Sequence, residues 1–277
     1  MVVSINNNQS ALLALQQLNQ TMSDLQTTQA RVSTGKRVAK PSDNAAVFSV
    51  AQRLRGDQSS FQAVTDSLNR AVSIANVANT AGLSVSDTLI QLKTKIVAAT
   101  DSSLDTTARA AFNTEFKALL RQLTQTVQSA SFAGSNILNN SITPPGLKFL
   151  ADGNGTSFVT LGLQNLNLGG GNILITANAD ILTVTRASLF LTAVNTSMNN
   201  VSNVLSTMGS QTEQITARLA FISSLTDTLA SGISNLVDAD IAAESSRLQA
   251  LQIKQQLGAQ SLSIANQAPQ VILSLFK

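Results

Sequence analysis

Apolar residues recur along this chain at alternating steps of three and four over unusually long stretches, the pattern of helices that each bury one stripe. The longest series is Val50, Leu54, Asp57, Phe61, Val64, Leu68, Ala71, Ala75, Ala78, Gly82, Val85, Leu89, Leu92, Ile96 and Ala99, broken only by Asp57 and Gly82. At about 1.5 Å per residue it predicts a rod of roughly 80 Å, a length suited to a coiled coil. Pro41, Ser42 and Asp43 stand before it: the proline halts the preceding segment, and Ser42 or Asp43 is placed to cap the first free N–H groups. A second series runs through Val194, Met198, Val201, Leu205, Met208, Thr212, Ile215, Leu219, Ile222, Thr226, Leu229, Ile233 and Leu236. Two seams of similar length pair most simply with each other, antiparallel if the chain doubles back between them. A third helix fits Thr106 to Ala130, with Phe112, Phe116, Leu119 and Leu123 on its face and Asp105 as its cap, and completes a small bundle.

The two ends carry a different pattern. Leu15, Leu18, Met22, Leu25 and Val32 keep a heptad seam with Gln29 in its gap. Near the other end Leu248, Leu251, Ile253, Leu257, Leu262, Ile264, Val271, Ile272, Leu275 and Phe276 crowd more than one helical face. A helix apolar on several faces needs cover on several sides, which a single partner helix cannot supply. Neighbouring copies of the chain are the expected cover, so the terminal helices are predicted to be polymerisation surfaces. Before assembly nothing offsets the entropy of ordering these ends, and they are expected to be disordered.

Between Gly134 and Asp180 the period changes. Pro144-Pro145-Gly146, Asp152-Gly153-Asn154-Gly155 and Gly169-Gly170-Gly171 are turn signals, and Val159, Leu161 and Leu163 alternate as on a half-buried strand. Asn172-Ile173-Leu174-Ile175 reads as a further apolar strand. The predicted architecture is mainly α: a long antiparallel coiled-coil or helical-bundle rod with a small β-hairpin-containing region mid-chain. Its segments are a terminal helix over 1–40, the rod's first part over 41–133, the β/turn region over 134–185, the rod's second part over 186–236 and the other terminal helix over 237–277.

Charge changes this picture little. The 277 residues include 18 basic and 15 acidic ones, a charged fraction of 12% that leaves Ser, Thr, Asn and Gln to cover the surface. Such a surface repels its own copies weakly. Six basic residues and one acid, Asp43, lie between Arg31 and Arg55, while Asp238, Asp240 and Glu244 open the C-terminal block. Opposite charges at these joints, with Arg37 and Arg53 among them, are expected to set register within one subunit or between copies. Gly35 with Pro41 gives the bend between the first helix and the rod.

Candidate chemistry is sparse. With no His and no Cys, the commonest general base, the thiol nucleophile and the usual transition-metal ligands are missing, so no enzyme activity, metal or cofactor is expected. Gly169-Gly170-Gly171 lacks the Gly-Lys-Ser/Thr ending of a phosphate loop. Basic residues are spread out and no Tyr or Trp accompanies them, which speaks against nucleic acid. No run of about 18 apolar residues and no signal-peptide pattern occurs, so membrane insertion is not expected and export is expected to need no cleaved leader.

Several segments resemble, in order and spacing, those of bacterial flagellins. They are Ser4-Ile5-Asn6, the Leu12 to Leu25 stripe, Arg31 to Val38, Ser42-Asp43-Asn44-Ala45-Ala46, Gln52-Arg53-Leu54-Arg55 and Phe132 to Leu138. The far end matches with Asp238 to Glu244, Leu248, Gln255-Gln256-Leu257-Gly258 and Ile264 to Leu275. The resemblance covers roughly the first 140 and last 90 residues. It implies a secreted, extracellular structural subunit that passes through the flagellar type III apparatus and self-assembles into the helical filament used for swimming. It further implies an export chaperone, a filament cap and hook-associated proteins as partners, with terminal helices lining an inner tube. The short middle implies no substantial outer domain, and without a His-Glu-x-x-His helix the middle cannot hold the metallopeptidase some flagellins carry. In many flagellins an Arg-rich, Glu-containing motif on the rod helix is read by an innate immune receptor; here Gln91, Lys93 and Thr94 occupy that stretch, and poor receptor activation is expected. A hook-filament junction protein and a secreted helical adhesin or effector are the alternatives.

Overall fold

The computed structural model describes residues 8–274, with side chains described through Gln267. Among these residues it contains five helices and one β-hairpin: α1 (Gln9–Thr34), α2 (Ala45–Ala99), α3 (Thr106–Ser129), β1 (Gly146–Leu150), β2 (Phe158–Gly162), α4 (Val184–Val237) and α5 (Ile241–Ser274). The chain divides into two compact units, one of the residues up to Gly56 together with those from Thr228 onward, the other Asp57–Asp227.

The Asp57–Asp227 unit has the conventional core. From Val64 to Ala99 every member of the predicted α2 series is buried, Gly82 included. That glycine is a packing residue, since a Cβ there would stand 2.8 Å from Leu205 Cδ2 on α4. The Asn79 side chain donates to Thr212 Oγ1 at 3.4 Å, and with Gly82 against Leu205 this sets α2 and α4 antiparallel. Helix α3 returns along α2, joined by a Lys95–Glu115 ion pair of 2.5 Å. Asp105 caps it by accepting from the Ala108 N–H at 2.7 Å. Arg109 is buried and gathers the connection, donating to the carbonyls of Ala99, Asp101 and Leu104.

Side chains from the helices satisfy the irregular segment's backbone, as buried polar groups require. Ser67 Oγ accepts from Leu150 N–H (3.1 Å), Gln211 Oε1 from Gly162 N–H (3.2 Å), Asn113 Oδ1 from Ile181 N–H (3.0 Å) and Ser197 Oγ from Leu174 N–H (2.9 Å). Strands β1 and β2 pair antiparallel with Gly146 opposite Gly162 and Leu150 opposite Phe158. Ile137, Leu138, Leu161, Leu166, Ile173, Ile175 and Ile181 join the same apolar core as Leu68, Leu92, Phe116 and Val201, so the middle of the chain has no core of its own.

Two expectations need correction. Residues 172–175 are not a strand; Ile173 makes one isolated bridge with Leu168, and burial of Ile173 and Ile175 accounts for the apolar run. The cap of α2 is neither Ser42 nor Asp43. Asn44 Oδ1 accepts from the Val47 N–H at 3.0 Å, while the Asp43 carboxylate turns back to the N–H groups of Ala39 and Lys40 at 2.9 and 3.1 Å.

Candidate functional site

Helices α1 and α5 pair antiparallel in the other unit. Asn8 caps α1 through Oδ1, which accepts from the Ala11 N–H, and its Nδ2 donates to Ala265 O at 2.7 Å. Leu18 stands opposite Gly258, and Arg31 meets Glu244 at the far end. Along α1, Ala11, Ala14, Leu18, Thr21, Leu25, Thr28 and Val32 are withdrawn from solvent at alternating steps of three and four, with Asp24 and Arg31 part-buried beside them. Along α5 the same spacing runs through Glu244, Leu248, Leu251, Gln255, Gly258, Leu262 and Ala265, with Ser245 part-buried beside it.

The α1–α5 contact takes three of the five predicted α1 seam positions. Leu18, Leu25 and Val32 lie on it, but Leu15 and Met22 are 43% and 41% exposed, and Thr21 and Thr28 take the central places. Small residues at the seam let two helices approach closely, and Thr21 meets its own polar demand by donating to Gln17 O at 2.8 Å. Several other large side chains are left outside. Leu12 and Leu13 are exposed with Leu15 and Met22, and on α5 Ile253, Leu257 and Ile264 are 57%, 59% and 63% exposed. Of the remaining predicted positions, the Val271 side chain and Leu275 lie outside the described residues.

The joint is built mostly from backbone. Helix α1 ends where Gly35 turns to φ +69°, a left-handed conformation that costs glycine little. Gly35 O then accepts from Ala239 N–H (2.9 Å), and the N–H groups of Arg37 and Val38 both donate to Val237 O (2.7 and 3.2 Å), with Lys36 bridged to Asp238. Val38, Ala51, Ile233 and Val237 are buried together, supported by Val47, Phe48, Leu54 and Leu236. Ala51 rather than Val50 faces this small core, so below Phe61 the predicted α2 series keeps Leu54 but loses Val50 and Asp57 to solvent.

Charge pairing at the joint is narrower than expected. Of the predicted register residues, Arg31 and Glu244 form an ion pair of 3.0 Å, their side chains 28% and 13% exposed. Glu244 Oε2 is buried without a hydrogen-bond partner. Arg37 donates instead to the Leu236 carbonyl at 3.1 Å, and Asp240 accepts from the Ala242 and Ala243 N–H groups at the start of α5. Asp238 and Arg53 are exposed. The backbone N–H of Ala39, then that of Lys40, holds the Asp43 carboxyl below its ordinary value of 3.8.

On α2, Gln91 and Thr94 are exposed and Lys93 is half-buried; Thr94 Oγ1 donates to Ile90 O at 3.1 Å. Among the described residues no group of three potential metal ligands occurs, and no helix is long and apolar enough to cross a membrane.

The description "bacterial flagellin N-terminal helical region" fits residues 5–143, and "bacterial flagellin C-terminal helical region" fits residues 191–276. A Caulobacter vibrioides protein named flagellin FljJ is 46% identical over 277 residues, which cover 100% of this chain and 99% of that relative. A Brucella melitensis protein named flagellin is 35% identical over 290 residues, covering both chains fully (100% of each). Among solved structures, a putative flagellar hook-associated protein from Vibrio parahaemolyticus aligns with a TM-score of 0.55 over 71% of this chain and 100% of that one. At 12% identity this likeness speaks to fold alone.

Proposed function

This chain belongs to the bacterial flagellin family and is a structural subunit that self-assembles into the flagellar filament, and from that premise we propose that the outward faces of α1 and α5 are the surfaces its copies use to join. The supporting observation is that α5 is apolar on two sides while α1 covers only one. Leu248, Leu251 and Leu262 turn towards α1, whereas Ile253, Leu257 and Ile264 face away from it. Burial of each such side chain contributes about 1.5–3 kcal/mol, so a repeated contact through a few of them is enough to drive growth. Val271 and Leu275 continue the same apolar sequence and belong to the proposed surface.

In this reading Gly35, Arg37, Asp43, Asp238 and Asp240 shape the joint inside one subunit, Arg31 and Glu244 tie the two helices at that end, and Arg53 is left to meet a neighbour. The subunit leaves the cell through the flagellar export route, held by an export chaperone, and adds beside the filament cap and hook-associated proteins. The subunit acts by packing and performs no catalysis. The exposed Gln91 and Thr94, with Lys93, make a poor ligand for an innate immune receptor that reads an Arg- and Glu-containing motif.

Deleting residues 271–277 tests the assembly surface. The expected product is a helical subunit that stays unpolymerised when sedimented under conditions that assemble the full chain. Normal filaments from the deletion would sink the proposal. Abundance in sheared surface filaments checks the subunit's role separately, since a junction protein would be present in few copies.

A further inference from the structure

The connector between β1 and β2 holds the one Asn-Gly pair in the sequence, Asn154-Gly155, and both residues are exposed. Gly155 has φ +74° and no side chain to hinder approach to its nitrogen. Its N–H meets the Asp152 carbonyl oxygen only at 3.5 Å. The Asp152 carboxylate is bonded chiefly to the residues beyond, accepting from the Thr156 N–H and hydroxyl at 2.9 and 2.5 Å and the Ser157 N–H at 3.1 Å, with the weakest interaction from the Gly155 N–H. The exposed Asn140-Ser141 pair makes a contrast, because its second residue carries a side chain and the Ser141 N–H is held more closely, by Asn139 Oδ1 at 3.0 Å. Asparagines inside the helices have their following N–H groups committed to the helix.

We propose that Asn154 is a self-modification site, at which the backbone nitrogen of Gly155 attacks the asparagine side-chain amide and ages the subunit by one charge. In the first step the Gly155 nitrogen loses its proton and bonds to Asn154 Cγ, the Cγ–Nδ2 bond breaks, and ammonia leaves with that proton. Water then adds to one of the two carbonyls of the resulting cyclic imide. Opening on one side gives aspartate, and opening on the other gives isoaspartate, with the main chain rerouted through the side chain. Nothing is oxidised or reduced, and water is the only co-reactant. The formal net charge of +3 falls by one. The new carboxylate lies two residues from Asp152, and the isoaspartate form adds a methylene to the connector. Both changes pull against the bonds by which Asp152 holds Thr156 and Ser157.

The test incubates the full folded chain at mildly alkaline pH, with circular dichroism to follow the fold. Samples are digested and mapped by mass spectrometry for the gain produced when an amide NH2 becomes OH, with isoaspartate resolved from aspartate. The expected result is conversion of the Asn154 peptide several-fold faster than the Asn139-Asn140 peptide, yielding both products, and none of that conversion in Asn154→Gln. Faster conversion at Asn140 overturns the proposal. So does a folded chain that leaves Asn154 intact while a urea-unfolded sample converts it, because the turn would then protect the site.

Discussion

The two compact units differ in how many of their large apolar side chains they bury. In the Asp57–Asp227 unit Phe116, Leu68, Leu89, Leu92 and Leu123 are fully buried, and helix-borne polar groups inside it bind backbone. In the α1–α5 pair Thr21, Thr28 and Gly258 sit at the seam, while Leu12, Leu13, Leu257 and Ile264 are more than half exposed. The central unit builds a continuous core, although Leu83, Phe158, Leu189 and Phe221 stay more than half exposed on its surface. Among the described residues of the pair, Leu251 is the one large apolar side chain that is buried, so the pair's own fold uses little of the hydrophobic surface it carries. On the proposed reading, the central core holds the subunit together and the outward faces of α1 and α5 hold its copies together.

Substitutions should separate the two classes. The largest effect on stability is expected inside the central unit, where Phe116→Ala costs about 3–5 kcal/mol through loss of packing and the cavity left behind. Denaturant unfolding of the free subunit measures it, and a change under about 1 kcal/mol would blur the contrast. The converse change, Leu257→Gln with Ile264→Gln, is expected to move that stability by less than about 0.5 kcal/mol. It should raise the concentration needed for assembly on the order of a hundredfold or more.

Smaller effects belong to the joint. Asn44→Ala removes the cap of α2 and is expected to cost about 1 kcal/mol, read from the same unfolding curve. Asp43 adds a pH dependence: its folded pKa lies below 3.8, so its bonds to Ala39 and Lys40 contribute above the unfolded value and are lost as the pH falls through the folded one. Amide shifts of Ala39 and Lys40 should titrate together with a midpoint below 3.8; a midpoint at or above it contradicts this bonding. Weakest of all is the expected host response, with a reporter-cell dose curve far to the right of a strong agonist's and moved leftward by Gln91→Arg with Thr94→Glu.

The central unit was the more legible in sequence because its buried stripe keeps a regular three-four spacing. Val64 to Ala99 could be read off as a stripe, and Asp105 as a cap, since both depend on spacing alone. The α1 seam was misread where it departs from size: a search for large apolar residues selects Leu15 and Met22, and passes over Ala14, Thr21 and Thr28. A heptad of small residues was the available signal. The joint was harder still, because Gly35, Val38 and Val237 meet through backbone hydrogen bonds across about 200 residues of sequence, which no local pattern encodes. Asn172 to Ile175 misled for a related reason: a short apolar run has the composition of a strand whether or not it finds a ladder.

The absence of cysteine in the sequence allows a direct test of the outward face. Leu257→Cys and Ile264→Cys, each introduced singly, give one thiol on α5, to be labelled first in the free subunit and then in assembled filaments. Fast labelling in the free subunit and strong protection in the filament is the predicted result. Equal labelling rates in the two states would contradict the claim that this face is reserved for neighbouring copies.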